Sequence, residues 1–131
     1  MTKRIPLVAR VLLGLVYFIF GLNGLLHFLP MTPPPMAEAG MKFMEGMMAV
    51  GYFLPLLAFT QAFFGFLLLI GWGAPLALVV LAPVTLQIFM FHLFITPGAP
   101  NLVLPVVMGL CHLSAASAYK NIYAPLFSKG K

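Results

Sequence analysis

A bundle of four membrane-spanning α-helices is the fold class this sequence predicts, and three observations predict it. Hydrophobic residues make up 63% of the chain and charged residues 7%, against about 45–50% and about 25% in soluble domains. Residues 46–119 contain no Asp, Glu, Lys or Arg at all, so no water-facing surface can be built from them. Within and before that stretch, Pro and Gly clusters cut the chain into four apolar segments of about the 20 residues that cross a bilayer as a helix. A water-soluble globule is excluded, and 131 residues suffice for a single membrane domain over 1–131.

The first span is expected over about 6–28 and ends before Pro30 and the Pro33-Pro34-Pro35 run. The second is expected over 51–70 and ends at Gly71-Trp72-Gly73, the third over 75–95 and ends at Thr96-Pro97-Gly98-Ala99-Pro100, and the fourth over 101–119. Short connections imply antiparallel neighbours. Lys3 and Arg4 precede an apolar run too long for the roughly 7–15 residues of a secretory signal, and Gly21-Leu22-Asn23-Gly24 offers no small-x-small cleavage site. The first helix therefore reads as retained.

Charge sets the orientation. Lys3, Arg4 and Arg10 lie near the start and Lys120, Lys129 and Lys131 near the end. An even number of spans then places both termini on the cytoplasmic side. The outward segment between the first two spans carries Glu38, Lys42 and Glu45 at i, i+4 and i+7, one face of a short amphipathic helix expected over 35–49 at the membrane surface. The net charge of +5 resides mainly at the two ends instead of in a patch, which excludes a nucleic-acid binder.

Helix association in lipid relies on small residues. Gly14 and Gly21 share a face of the first helix, Ala58, Ala62 and Gly65 share one of the second, and Gly109 with Ser114-Ala115-Ala116-Ser117-Ala118 thins the fourth. Pro55, Pro83 and Pro105 fall within spans and are sites for kinks.

Polar groups at membrane depth are costly, so the few present are the candidates for chemistry. Asn23 and His27 are four apart on one face of the first helix. His92 lies near the outer end of the third, with Thr85 seven residues back on the same face and Gln87 pointing away. These positions predict an outward-opening pocket of Asn23, His27, Thr85 and His92, supported by Gln61 and closed by the outer Met-rich segment. Such a pocket suits a quinone headgroup hydrogen-bonded by histidine, or a haem or metal held by two imidazoles. The plainer reading gives the histidines to headgroups, water or backbone carbonyls. His112, nearer the middle of the fourth span, needs a hydrogen-bond partner and is a further candidate for ligand binding or for an interhelical bond.

Six of the nine methionines fall between Met31 and Met48. Met41, Met44 and Met47 repeat every three residues, a weak alternative for Cu(I) beside the simpler reading of flexible apolar filler. Cys111 is the only cysteine, so no intrachain disulfide or CxxC motif exists, and it reads as a packing residue. No HExxH, GxSxG, Walker-type glycine loop or membrane-embedded acid is present. No catalytic residue can be named, and the enzymatic role left open is that of an oxidoreductase subunit.

The order of several short motifs resembles the DoxX family of small membrane proteins. They are Ala9-Arg10-Val11-Leu12-Leu13-Gly14-Leu15, Gly21-Leu22-Asn23-Gly24 with His27-Phe28, Gly51-Tyr52-Phe53-Leu54-Pro55, the run from Gly65 to Leu69, the run from Pro75 to Pro83, Phe91-His92-Leu93-Phe94 followed by Pro97-Gly98, and Tyr123-Ala124-Pro125-Leu126. The resemblance spans nearly the whole chain. It implies a four-helix bundle in the bacterial cytoplasmic (inner) membrane and association with membrane redox complexes, the family's name deriving from a subunit of a thiosulfate:quinone oxidoreductase. The chain departs from many relatives where Thr60-Gln61-Ala62 replaces an acidic residue and Asn23-Gly24 replaces a lysine, which removes charges that a proton-linked role would use. The reading is an accessory or quinone-interacting subunit of a membrane redox system. Its partners would be the bilayer, a membrane or soluble redox protein, and further copies of itself. The rivals are a carrier for a small hydrophobic molecule and a non-catalytic membrane scaffold.

Overall fold

The computed structural model describes residues 4–27, 38–95 and 99–128. Among them every regular element is helical: α1 (Arg4–Leu26), α2 (Glu38–Ala49), α3 (Phe53–Ile70), α4 (Ala74–Phe94), α5 (Ala99–Ser117), the single turn α6 (Lys120–Tyr123) and a closing 3₁₀ turn (Ala124–Phe127). Four of these, α1, α3, α4 and the stretch Pro100–Ser117 of α5, are long and apolar enough to cross a membrane, which makes the chain a multi-pass membrane protein. Only 22–28% of each span is buried inside the bundle. The outward surface is Leu, Val, Ile and Phe, with Leu113 and Leu104 among the exposed side chains, as befits lipid as the solvent.

The helices form a closed ring in which α1 touches α3 and α5, and α4 touches α5 and α3. The seam between α1 and α3 is built from the expected small residues. A Cβ on Gly14 would lie 2.8 Å from the Leu68 Cβ and 2.9 Å from the Gly65 carbonyl oxygen, and one on Gly65 would lie 2.6 Å from the Phe18 nitrogen. At Gly21 the obstruction is the Ala58 oxygen, at 2.7 Å, together with the Ala62 backbone. As α1 advances from Gly14 to Gly24, its partners on α3 descend from Leu68 to Ala58. The expected seam at Gly109 does not form, since a Cβ there would meet nothing within 4 Å; α5 instead presents Met108, His112 and Ala115 to the interior. The core is completed by Leu13, Tyr17, Leu68, Leu78 and Leu81, fully buried, and by Ala74 and Ala77.

Boundaries differ from expectation by a few residues. α1 begins at Arg4, and Phe28, Pro30 and Pro33-Pro34-Pro35 lie outside the described residues. α3 begins after a turn at Gly51-Tyr52, which puts Pro55 in the first helical turn, where its missing N–H leaves no bond unmade, so it is not a mid-span kink site. Pro83 and Pro105 do stand inside α4 and α5. α5 ends at Ser117, before the turn that leads to α6. Between α3 and α4, Gly71 (φ 81°) and Gly73 (φ 67°) supply two left-handed residues, with the Gly71 N–H donating to the Leu67 carbonyl.

At that end of the bundle Arg10 reaches from α1 toward α3 and α5. A Cβ on Gly71 would come within 3.0 Å of its Nη1, and the same nitrogen donates a long bond of 3.4 Å to Tyr119 Oη. The cation beside the α3 C-terminus is favoured by the helix dipole. Tyr123 donates to the Pro75 carbonyl over 2.7 Å. Burial pushes its phenol above the ordinary tyrosine value, and neighbouring Tyr119 adds in the same direction.

A candidate membrane-embedded binding site

A cavity of about 570 Å³ opens between α2, α3 and α4. α3 contributes Phe53, Leu57 and Gln61, spaced i, i+4, i+8 along one stripe. That stripe adjoins the Ala58-Ala62-Gly65 stripe packed on α1, so one helix serves a seam on one side and the cavity on the other. α4 contributes two adjacent rows, Pro83-Gln87-Phe91 and Val84-Ile88-His92. Pro83 lacks the N–H that Val79 would accept, and its ring opens the ladder there. α2 covers the cavity with Phe43, Met44 and Met47, and the Phe43 ring lies 5.4 Å from that of Phe91. Glu38, Lys42 and Glu45 are exposed, Glu38 and Lys42 pairing at 3.1 Å.

The cavity is uncharged. Gln61, Gln87 and His92 are its polar side chains, and no Lys, Arg, Asp or Glu lines it. His92 Nδ1 lies 2.7 Å from the Ile88 carbonyl of its own helix. A carbonyl only accepts, so Nδ1 carries a proton and donates it.

The sequence-derived pocket is rearranged. His92, Gln61, Met44 and Met47 meet at one cavity as expected, and Gln87, expected to point away, joins them. Asn23 and His27 do not line it. His27 is exposed at the end of α1 in a left-handed conformation (φ 51°), its N–H donating to the Asn23 carbonyl over 2.8 Å. The two imidazoles therefore share no site, and a haem or metal held between them has no geometry here. Met41 is exposed and outside the lining, so Met41, Met44 and Met47 do not converge as a copper site would require. Among the described residues no group of three or more His, Cys, Asp or Glu side chains is placed to hold a metal ion.

Thr85 is the clearest departure. It lies two turns from His92 in the centre of the bundle, where Tyr17 Oη lies 2.5 Å from its Oγ1 and His112 Nδ1 lies 2.9 Å from it. His112 Nε2 lies 2.8 Å from the Leu78 carbonyl. The directions follow from the ends. The carbonyl accepts, so Nε2 carries the proton of the neutral ring. Nδ1 then accepts from the Thr85 hydroxyl, which accepts from Tyr17. This chain ties α1, α4 and α5 together across the ring. It uses every strong group it contains, which makes it an interhelical tie and removes Thr85 and His112 from the cavity. Tyr17 was not anticipated as a partner. The available signal was its position one turn from Gly14 and Gly21 on the helix-facing side of α1.

Comparison of the chain with known protein families, with characterised proteins and with solved structures finds no match.

Proposed function

We propose that this protein binds a small, uncharged, ring-headed lipid-soluble molecule of the membrane-quinone type in the cavity between α2, α3 and α4. One observation carries the reading. A cavity of about 570 Å³ falls within the roughly 300–1,000 Å³ of small-molecule sites, and its mostly apolar lining with three convergent polar side chains is the usual make-up of such a site. The absence of charge from the lining favours a neutral ligand, and Phe43, Phe53 and Phe91 suit a flat ring.

In this reading the spans run antiparallel through the bacterial inner membrane, both termini are cytoplasmic, and α2 lies as an amphipathic helix on the outer surface, closing the cavity. The resemblance to DoxX-family proteins makes an accessory or quinone-interacting subunit of a membrane redox system the specific form of the proposal. A carrier without electron transfer would use the same cavity.

Purification in mild detergent, with mass spectrometry of organic extracts and an absorption spectrum, tests it. Quinone or hydroquinone in near-stoichiometric amount with the natural chain, and its loss from a Leu57→Trp variant that keeps its helical circular dichroism, is the expected result. Phospholipid alone in both samples overturns the proposal.

A further inference from the structure

Resting on the cavity reading above, we infer that the site selects ligands whose polar head is a hydroxyl donor, a phenol or hydroquinone, over those that present only an acceptor, such as an ether or a quinone carbonyl. The selecting group is His92. Its Nδ1 proton is committed to the Ile88 carbonyl at 2.7 Å, so the neutral ring has only Nε2 left for the cavity, and that nitrogen is an acceptor without a hydrogen. Among the described residues no group bonds it.

The other polar side chains do not oppose this choice. Gln61 and Gln87 each carry a carbonyl and an NH₂ and can answer a donor or an acceptor by rotating the amide. His92 cannot: turning the ring, or moving its proton to Nε2, would abandon the bond to Ile88 and set a bare ring nitrogen or a C–H against that carbonyl. A one-way group beside two two-way groups sets the preference. Carboxylic acids that ionise are excluded because no Lys or Arg borders the cavity, and amines that protonate because no carboxylate does. The aromatic wall of Phe43, Phe53 and Phe91 favours a ring hydroxyl, which is also a stronger donor than an aliphatic one.

The experiment is equilibrium binding of radiolabelled para-octylphenol and of its methyl ether to the full chain in phosphatidylcholine nanodiscs. The two probes share ring and tail and differ in the donor. Saturable binding of the phenol, at least about tenfold weaker binding of the ether, and loss of that difference in His92→Phe, which keeps a ring in place, support the inference. Equal saturable binding of both probes to the natural chain overturns it while leaving the cavity reading standing, and so does a preference that survives in His92→Phe. Saturable binding of neither probe overturns the cavity reading itself.

Discussion

α3 has two neighbours, and it meets them in opposite ways. Toward α1 it presents Ala58, Ala62 and Gly65 against Gly14 and Gly21, and the backbones touch. Toward α4 it presents Phe53, Leu57 and Gln61 across a cavity from a helix that carries Pro83 within its span. The solvent is the same lipid and the two stripes are one residue apart, so hydrophobicity cannot explain the difference. Side-chain size does. Without a hydrophobic drive between helices, close approach depends on van der Waals contact. Small residues allow that contact along the whole α1–α3 seam, whereas bulky and amide side chains hold α3 and α4 apart. The tight seam makes the frame, and the gap left on the other side of α3 is the cavity.

The largest expected effect breaks the seam. Gly21→Leu forces a side chain into the Ala58 and Ala62 backbone, and the helices must part. A loss of about 3 kcal/mol or more is expected, read as unfolding at much lower denaturing detergent. Stability equal to the natural chain would show that the α1–α3 contact is not what holds the ring. A smaller loss follows from the central tie. His112→Ala leaves the Thr85 hydroxyl without its acceptor, takes the imidazole N–H from the Leu78 carbonyl, and opens a void, for about 2 kcal/mol in total. A loss indistinguishable from zero would mean that the tie contributes nothing net. The smallest effect is expected at the cavity. Leu57→Ala removes atoms that already border open space, so stability should fall by less than about 1 kcal/mol, while binding of a ring-headed probe weakens. A stability loss as large as that of Gly21→Leu would show that the cavity wall is core.

The two regions were not equally legible. The two faces of the α1–α3 seam could be read directly because the spacing of small residues marks a packing face on each helix, whereas their pairing with each other came from the structure. The cavity was half legible. His92 and Gln61 were identifiable from their rarity in an apolar chain, and Met44 and Met47 from the amphipathic outer segment. Gln87 escapes a single-face reading because five residues on a helix separate its side chain from that of His92 by about 140°. The wall supplied by α4 is two rows wide, and both rows border the same space. Thr85 shares a face of α4 with His92, but two turns separate them along the helix: at Thr85 that face meets Tyr17 and His112, and at His92 it borders the cavity.

Composition and periodicity thus determined by themselves that the chain carries four membrane-spanning segments, about where each begins and ends, and which faces of α1 and α3 are lined with small residues. These are local matters: hydrocarbon demands satisfied backbones and apolar side chains of a given run length, and every residue reports on that demand singly. Only the tertiary structure decided that His112 and Thr85 are consumed in a tie with Tyr17, that His27 stands apart from His92, and that Gln61, Gln87 and His92 share a cavity. Those outcomes depend on how each helix is rotated about its axis, and four apolar helices in an apolar solvent admit several rotations of similar energy until close packing and a few buried hydrogen bonds choose one.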